Sequence, residues 1–354
     1  MINRESFQIA NRPIGRGHPC FVIAEIAQAH DGSLGLAHAF IDAAAEAGAD
    51  AVKFQTHIAE VESTLDEPFR VHFSCQDKTR YDYWHRIEFT AEEWGDLAEH
   101  ARRRGLIFLS SAFSLLAVDI LQRLGMPAWK VAAGEFRSIA LLDAMAATGA
   151  PMLFSTGMMS WGEIGETVSW LRAKAIKHAL LQCTSAYPAP LEQVGLNVLD
   201  RLREQYECPV GLSDHSGSLF PGLSAMARGA NIIEVHVTFH RAMFGPDTAA
   251  SVTFEELKLM CGMRDALTVM HAHPVDKDSM AKSLAEVRET FGRSVAPARA
   301  LSAGTVLRRE MLMLKKPGGG IPPESECEVI GRRLARDVGP TQILRWADLA
   351  EERL

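Results

Sequence analysis

Hydrophobic positions along this chain gather into eight short runs, most of them apolar at the start and polar at the end. They are FVIAEIA (21–27), AVKFQT (51–56), LIFLSS (106–111), AWKVAAG (128–134), PMLFSTG (151–157), HALLQCTS (178–185), PVGLS (209–213) and NIIEVH (231–236). Runs of this length without strict alternation read as strands buried on both faces. Helical spacing fills the intervals: LAHAFIDAAAEAG (36–48), with Gly48 as a natural C-cap, then 91–104, 114–124, 138–148, 161–174, 195–206, 219–228 and 253–270. Strands alternating with helices mean a parallel sheet. Eight repeats fit an α/β chain built as a (β/α)8 TIM barrel, and no GxGxxG follows the first strand, against a dinucleotide fold.

The texture changes on either side of these repeats. Residues 1–18 form a lead-in with a short strand, SFQIA. The interval 57–90 is long, aromatic and doubly charged, the profile of a lid or binding loop. Residues 271–292 break the pattern and are expected to be a linker, with HAH (271–273) on a solvated turn. From 293 to 354, short apolar runs alternate with Gly and Pro turns, a small short-stranded module with a limited core. The expected division is a barrel over 1–270, a linker and this module.

Composition narrows the class. Of 354 residues, 47% are apolar and 23% charged, which is ordinary for a globular chain. A formal charge of −7 offers no footprint for nucleic acid. No apolar run is long enough to cross a membrane, and MINRESFQIANRPIGRG lacks a signal core. The six cysteines show no CxxC spacing and are expected as reduced thiols of a cytoplasmic protein.

Chemistry collects at the strand ends, where barrels of this kind hold their sites. These ends carry Glu25, Lys53, Gln55, Ser110, Ser111, Lys130, Ser155, Thr156, Thr184, Ser185, Ser213, Asp214, His215, Glu234 and His236. Glu234 and His236 are two apart on one strand and share a face. His215 and His236 end consecutive strands and can reach one metal ion, leaving positions open for water or substrate. Lys53 and Lys130 interrupt apolar strands, where an unpaired ammonium is costly. Either a bound phosphate and carboxylate, or salt bridges to Glu25, Glu135 or Glu234, would satisfy them.

Several segments together resemble the sialic acid synthase family, which includes the pseudaminic and legionaminic acid synthases. FVIAEIAQAHDGSLGLAHAFIDAAAEAGADAVKFQTH, KVAAGE, STGMMS, LQCTSAYPAP, GLSDHSG, EVHVTFHRAMFGPD and LKKPGGGIPP occur in the family's order, the last in its antifreeze-like (SAF) domain. The resemblance implies condensation of phosphoenolpyruvate with an N-acetylated hexosamine to a nonulosonic acid plus phosphate. It implies a divalent metal, manganese, on His215 and His236, and a domain-swapped homodimer. By the same likeness, Lys53, Lys130, Ser111, Ser155, Ser185 and Ser213 hold phosphoenolpyruvate. Glu25, Tyr187, Glu234 and Asp247 orient sugar or water, with Glu25 and Glu234 as candidates for proton handling. Gln55 and Lys316 complete the expected substrate contacts.

This chain departs from the family pattern at Ala29, Ser111-Ala112, Ala133, Thr248 and Lys316, where the family carries Asn, Thr-Pro, Ser, His and Arg. Lysine lacks the planar fork of arginine, so the last exchange changes the contact. An unusual acceptor sugar is expected. The competing readings are a phosphoenolpyruvate aldol synthase acting on a phosphorylated aldose, for which Arg70 and Arg241 are weak candidates, and a carbohydrate- or anion-binding protein. A metal-dependent hydrolase would want HxH after the first strand, where this chain has a single His30.

Overall fold

The structure is a computed structural model describing residues 6–353. It divides into two compact units, one ending at Ala272 and the other starting at His273.

The first unit opens with an antiparallel hairpin, β1 (Ser6–Ile9) and β2 (Arg12–Gly15). The repeats then follow: β3 (Phe21–Ala27), α1 (Leu34–Ala47), β4 (Ala51–Thr56), α2 (Ala59–Glu62), α3 (Arg80–Ile87), α4 (Ala91–Arg103), β5 (Ile107–Ala112), α5 (Leu115–Arg123), β6 (Trp129–Val131), α6 (Ile139–Ala147), β7 (Met152–Ser155), α7 (Trp161–Ala173), β8 (His178–Cys183), α8 (Leu196–Tyr206), β9 (Val210–Asp214), α9 (Leu219–Ala227), β10 (Ile232–Thr238), β11 (Ser251–Thr253) and α10 (Phe254–Ala272). The parallel order β5-β4-β3-β10-β9-β8-β7-β6 makes a near-closed ring of eight, with β11 added alongside β10. This is the expected (β/α)8 barrel.

Local chemistry explains the repeats. Ser33 caps α1 by accepting from the Leu36 N–H at 3.2 Å, and Gly48 ends it in the left-handed region. Thr90 and Ser160 form capping boxes with Glu93 and Glu163 at α4 and α7. The fourth strand is shorter than the run 128–134. After Val131 the sequence lacks the branched side chains that favour a strand, and a 3-10 turn forms over Ala133–Glu135.

Strand alternation divides the core in two. Outward residues such as Val22, Ala24, Val52, Phe54 and Phe108 pack against the helices. Inward residues Phe21, Ile23, Ala51, Ile107, Leu109, Leu153, Ala179, Leu181 and Ile232 fill the lower barrel, over which Phe7, Ile9 and Ile14 of the hairpin pack. Gly211 points inward, where an added Cβ would meet the Ile232 carbonyl at 2.4 Å, so glycine lets two strands approach.

No helix among the described residues is long and apolar enough to cross a membrane. Residues 271–292 comprise the end of α10 and two exposed helices, α11 (Lys277–Ser283) and α12 (Ala285–Phe291). His271 therefore lies on a helix rather than a solvated turn. The second unit pairs β12 (Ser294–Pro297) with β13 (Leu312–Lys315), and β14 (Arg332–Leu334) with β15 (Leu349–Arg353), around Val295, Leu307, Ile321 and Leu344.

Candidate active site

Continuing the inward alternation one step up each strand replaces hydrocarbon with polar groups. Above Ile23 comes Glu25; above Ala51 come Lys53 and Gln55; above Leu109, Ser111; above Leu153, Ser155; above Ile232, Glu234 and His236. Register places Glu25 beside Lys53 and His236, Gln55 beside Ser111, and Ser213 beside Glu234. The upper barrel is thus lined by charge in a buried setting.

Two ion pairs form its centre. Lys53 Nζ lies 2.7 Å from Glu25 Oε2 and Lys130 Nζ 3.1 Å from Glu234 Oε1. Lys53 also stands 4.0 Å from Glu234 Oε2. Ser111 accepts from Lys53 at 3.3 Å, Ser155 accepts from Lys130 at 2.8 Å, and Ser213 donates to Glu234 at 2.8 Å. Of the carboxylates expected to satisfy the lysines, Glu25 and Glu234 do so. Glu135 instead accepts from the Ser138 hydroxyl at 2.6 Å.

The two glutamates differ electrostatically. Burial pushes the Glu25 carboxyl up to about 7, against the opposing pull of Lys53. Burial also works upward on Glu234, but Lys130, Lys53 and the Ser213 hydroxyl outweigh it and bring the group down to about 2. Lys53 is raised despite burial because Glu234 and Glu25 face it.

His215 and His236 stand at the mouth with ring centroids 5.4 Å apart. Burial lowers both to about 3, helped by His236 and Lys130 for His215 and by Lys53 and Lys130 for His236, so both imidazoles are neutral at pH 7. His215 Nδ1 lies 2.9 Å from the Thr184 carbonyl, which requires the hydrogen on Nδ1 and makes Nε2 an acceptor. Tyr187 stacks on His215 at 4.2 Å with its hydroxyl 3.1 Å from that Nε2. Asp247 Oδ2 is 3.9 Å from His236 Nδ1, and burial raises its carboxyl. Neutral imidazoles, one with its outer nitrogen held by a carbonyl, suit a divalent metal. No group of three or more His, Cys, Asp or Glu side chains that could hold a metal exists among the described residues, so a metal there would draw further ligands from elsewhere.

Alternation also removes residues from the site. Ser110 faces outward to Thr56 at 2.8 Å, Thr156 donates to the Leu181 carbonyl, Thr184 to the Gln193 carbonyl, and Asp214 accepts from Ser216. Ser185 is exposed beyond β8, within reach of Gly157, where an added Cβ would lie 2.7 Å from its hydroxyl. Lys316 belongs to the second unit, exposed, its Nζ 5.6 Å from the Phe291 ring centroid. His30 is buried against Phe89 at 4.6 Å, with Nδ1 accepting from the Gly32 N–H.

Gln28, His57 and Cys183 escaped the sequence reading, whereas Gln55, Arg70 and Arg241 were among its candidates. Gln55 donates to Glu25 Oε1 at 3.1 Å, while its own oxygen accepts from Gln28 at 3.0 Å and faces His57 Nε2 at 3.2 Å. The Cys183 thiol lies 3.8 Å from His215 Nδ1. Arg70, on the long connection, lies 4.5 Å over the Tyr187 ring, whereas Arg241 is held by both oxygens of Glu256 at 2.7 Å. The adjacency of His57 to the end of β4 was the one available signal for it.

Comparison with known proteins now bears on this geometry. The model of the NeuB family matches residues 40–273 and that of the SAF domain residues 292–350. The chain is 34% identical over 348 residues to N,N'-diacetyllegionaminic acid synthase of Legionella pneumophila, covering 95% of this chain and 96% of that protein. It is 31% identical over 329 residues to N-acetylneuraminate-9-phosphate synthase of Homo sapiens, covering 91% and 90%. Among solved structures, the N-acetylneuraminic acid (sialic acid) synthetase of Leptospira borgpetersenii in complex with citrate superposes with a TM-score of 0.70. That match has 29% identity and covers 81% of this chain and 98% of that one.

Proposed function

We infer the activity from one premise: this chain belongs to the NeuB family and carries a SAF domain over residues 292–350. Its relatives include an N,N'-diacetyllegionaminic acid synthase and an N-acetylneuraminate-9-phosphate synthase. The reading supported best is condensation of phosphoenolpyruvate with an N-acyl hexosamine, giving a nonulosonic acid and inorganic phosphate. The observation that carries it is the gathering of Lys53, Lys130, Glu25 and Glu234 inside the barrel beneath two neutral histidines.

In this reaction C3 of phosphoenolpyruvate attacks the sugar aldehyde carbon. Water adds to the resulting cation at C2, and the tetrahedral product collapses with loss of phosphate. Lys53 and Lys130, with Ser111, Ser155, Ser185 and Ser213, bind the phosphate and carboxylate of phosphoenolpyruvate. A divalent metal, manganese by family resemblance, would sit on His215 and His236 and supply a Lewis acid for the aldehyde. Glu25, raised to about 7, is suited to take a proton from the attacking water near neutral pH. Glu234 stays ionised and balances the lysines and the positive charge that develops at C2. Tyr187 and Asp247, beside the histidines, orient the acceptor. The homodimer and the contact of Lys316 with the sugar extend this reading by resemblance, and the mass in solution checks the first.

A phosphate-release screen of N-acyl hexosamines with manganese and phosphoenolpyruvate, with mass spectrometry of the product, tests the proposal. Phosphorylated hexosamines belong in the panel because Arg70 carries no carboxylate partner among the described residues, whereas Arg241 is engaged. Release that requires all three components is the expected result. No release with any acceptor defeats the reading.

A further inference from the structure

The long connection after β4 does more than border the mouth. We propose that His57 is a positioning residue: held by Glu62 and clamped between Trp84 and Phe113, it fixes the Gln55 side-chain amide with its NH2 toward Glu25. The effect on turnover rests on the synthase reading; the orientation follows from the contacts themselves.

With Glu25 ionised, donors and acceptors along this chain admit one arrangement. Glu62 Oε1 lies 2.5 Å from His57 Nδ1, and a carboxylate only accepts, so Nδ1 carries a hydrogen. The other oxygen of Glu62 accepts from the Ile58 N–H at 3.2 Å. In the neutral ring Nε2 is then an acceptor and takes one N–H of Gln28 at 3.0 Å, while the second N–H of that amide reaches Gln55 Oε1 at 3.0 Å. The Gln55 oxygen thus faces a donor, and its NH2 is left for Glu25 Oε1 at 3.1 Å. With Glu25 ionised, a reversed amide would set a carbonyl oxygen against the carboxylate with no hydrogen between them. Glu25 is 1% exposed, so its oxygen would gain little from water in exchange.

The ring plane is equally constrained. Trp84 stacks on one face of His57 at 4.4 Å and 10°, and Phe113 on the other at 4.3 Å and 11°. Glu62 ends α2 and Trp84 sits on α3, so both come from the connection 57–90. That segment reaches Glu25 through His57 and Gln55, without touching it.

A double-mutant cycle tests this. His57→Phe keeps an aromatic ring in the stack and removes both hydrogen bonds. It should lower kcat by about 10- to 100-fold, the range for outer-sphere partners, with little change in KM for phosphoenolpyruvate. In a Gln55→Ala background the same change should cost almost nothing, because its route to Glu25 is gone. Glu62→Gln, a smaller perturbation, should reproduce the kcat loss if His57→Phe folds poorly. Equal losses in both backgrounds, or unchanged kcat in His57→Phe and Glu62→Gln, overturn the proposal. A readout independent of turnover keeps the two readings apart. With nitrogen-15 glutamine, the Gln55 NH2 signal, identified by its loss in Gln55→Ala, should exchange with solvent roughly an order of magnitude faster in His57→Phe. Unchanged exchange counts against the positioning role even if the wild-type protein releases no phosphate, an outcome that would defeat the synthase reading alone.

Discussion

Replacing Lys130 by methionine keeps the volume of the side chain and removes its charge from the centre of the barrel. Lys130 Nζ is 3.1 Å from Glu234 Oε1, with both side chains buried. At an effective dielectric constant near 20, that attraction is about 5 kcal/mol, part of which desolvation of the lysine cancels in the native protein. In the variant, Glu234 keeps the Ser213 hydroxyl at 2.8 Å and Lys53 at 4.0 Å. The carboxylate is incompletely compensated rather than orphaned, so the cost should fall near the lower end of about 3–5 kcal/mol for breaking a buried pair.

The same change predicts a pH signature in metal-free protein. Glu234 is lowered to about 2, so in the wild type its pairing stabilises above the ordinary 4.5 and that stability is lost as pH falls through about 2. Without Lys130, burial is less opposed and the native carboxyl rises. The stability difference between variant and wild type should therefore be largest near pH 8 and shrink on acidification to pH 5. Urea unfolding followed by tryptophan fluorescence reads the barrel through buried Trp129, the residue before Lys130. A difference below about 1 kcal/mol at pH 8, or one that stays flat with pH, refutes the electrostatic account, since loss of packing alone carries no proton linkage.

Gly157→Ala would bring a Cβ within 2.7 Å of the Ser185 hydroxyl and 2.8 Å of the Cys183 sulfur. The exposed Ser185 can turn away but buried Cys183, whose Cβ would lie at 3.3 Å, has less room, so KM for phosphoenolpyruvate should rise with a modest fall in melting temperature. His30 is lowered to about 3, by burial first and then by His57. A buried base held below its ordinary 6.5 loses stability as pH falls under 6.5, by about 1.4 kcal/mol per pH unit, so His30→Asn should flatten the acid limb of a melting-temperature profile between pH 6.5 and 5. A chelator should abolish phosphate release and manganese restore it, whereas His215→Ala should bind phosphoenolpyruvate yet fail to recover on adding manganese. Calorimetry in buffers of different ionisation enthalpy should show net proton uptake on phosphoenolpyruvate binding near pH 7.5, absent in Glu25→Gln, because an added anion raises a carboxyl already near 7.

The barrel was legible because each strand is buried on both faces and each helix follows at helical spacing, both local patterns. The site was legible in outline because the polar ends of those strands are local too. Which polar residue enters the barrel was harder to read. Ser110 and Ser111 are indistinguishable in LSS, yet alternation sends the first to Thr56 and the second to Lys53. The same parity removes Asp214 while keeping Ser213 and His215. The fourth strand was overread because KVAAG is apolar without being strand-forming, and a turn claims it. His57 was missed for a different reason. Its role depends on Trp84 and Phe113, far along the chain, and no local pattern reports a ring stacked between residues of two other elements.

The division of labour between the two glutamates follows from where each stands. Both are buried, both face a lysine, and both sit on inward positions of adjacent strands. Glu234 receives Lys130, Ser213 and the more distant Lys53, enough to keep it charged. Glu25 has Lys53 and the Gln55 amide, and burial wins. Titratable groups driven apart in this way mark which can exchange a proton near neutral pH and which serves as fixed charge. On the proposed reading, an arriving phosphate ester would compete with Glu25 for Lys53 and with Glu234 for Lys130. The first competition is the easier, because Glu25 can yield its charge by taking up a proton. A Glu25 protonated in this way would have to return that proton to solvent before it could accept one from water. The hydrogen bond from Gln55, which favours the charged carboxylate, opposes that protonation, so the orientation of one amide bears directly on how readily the base is regenerated.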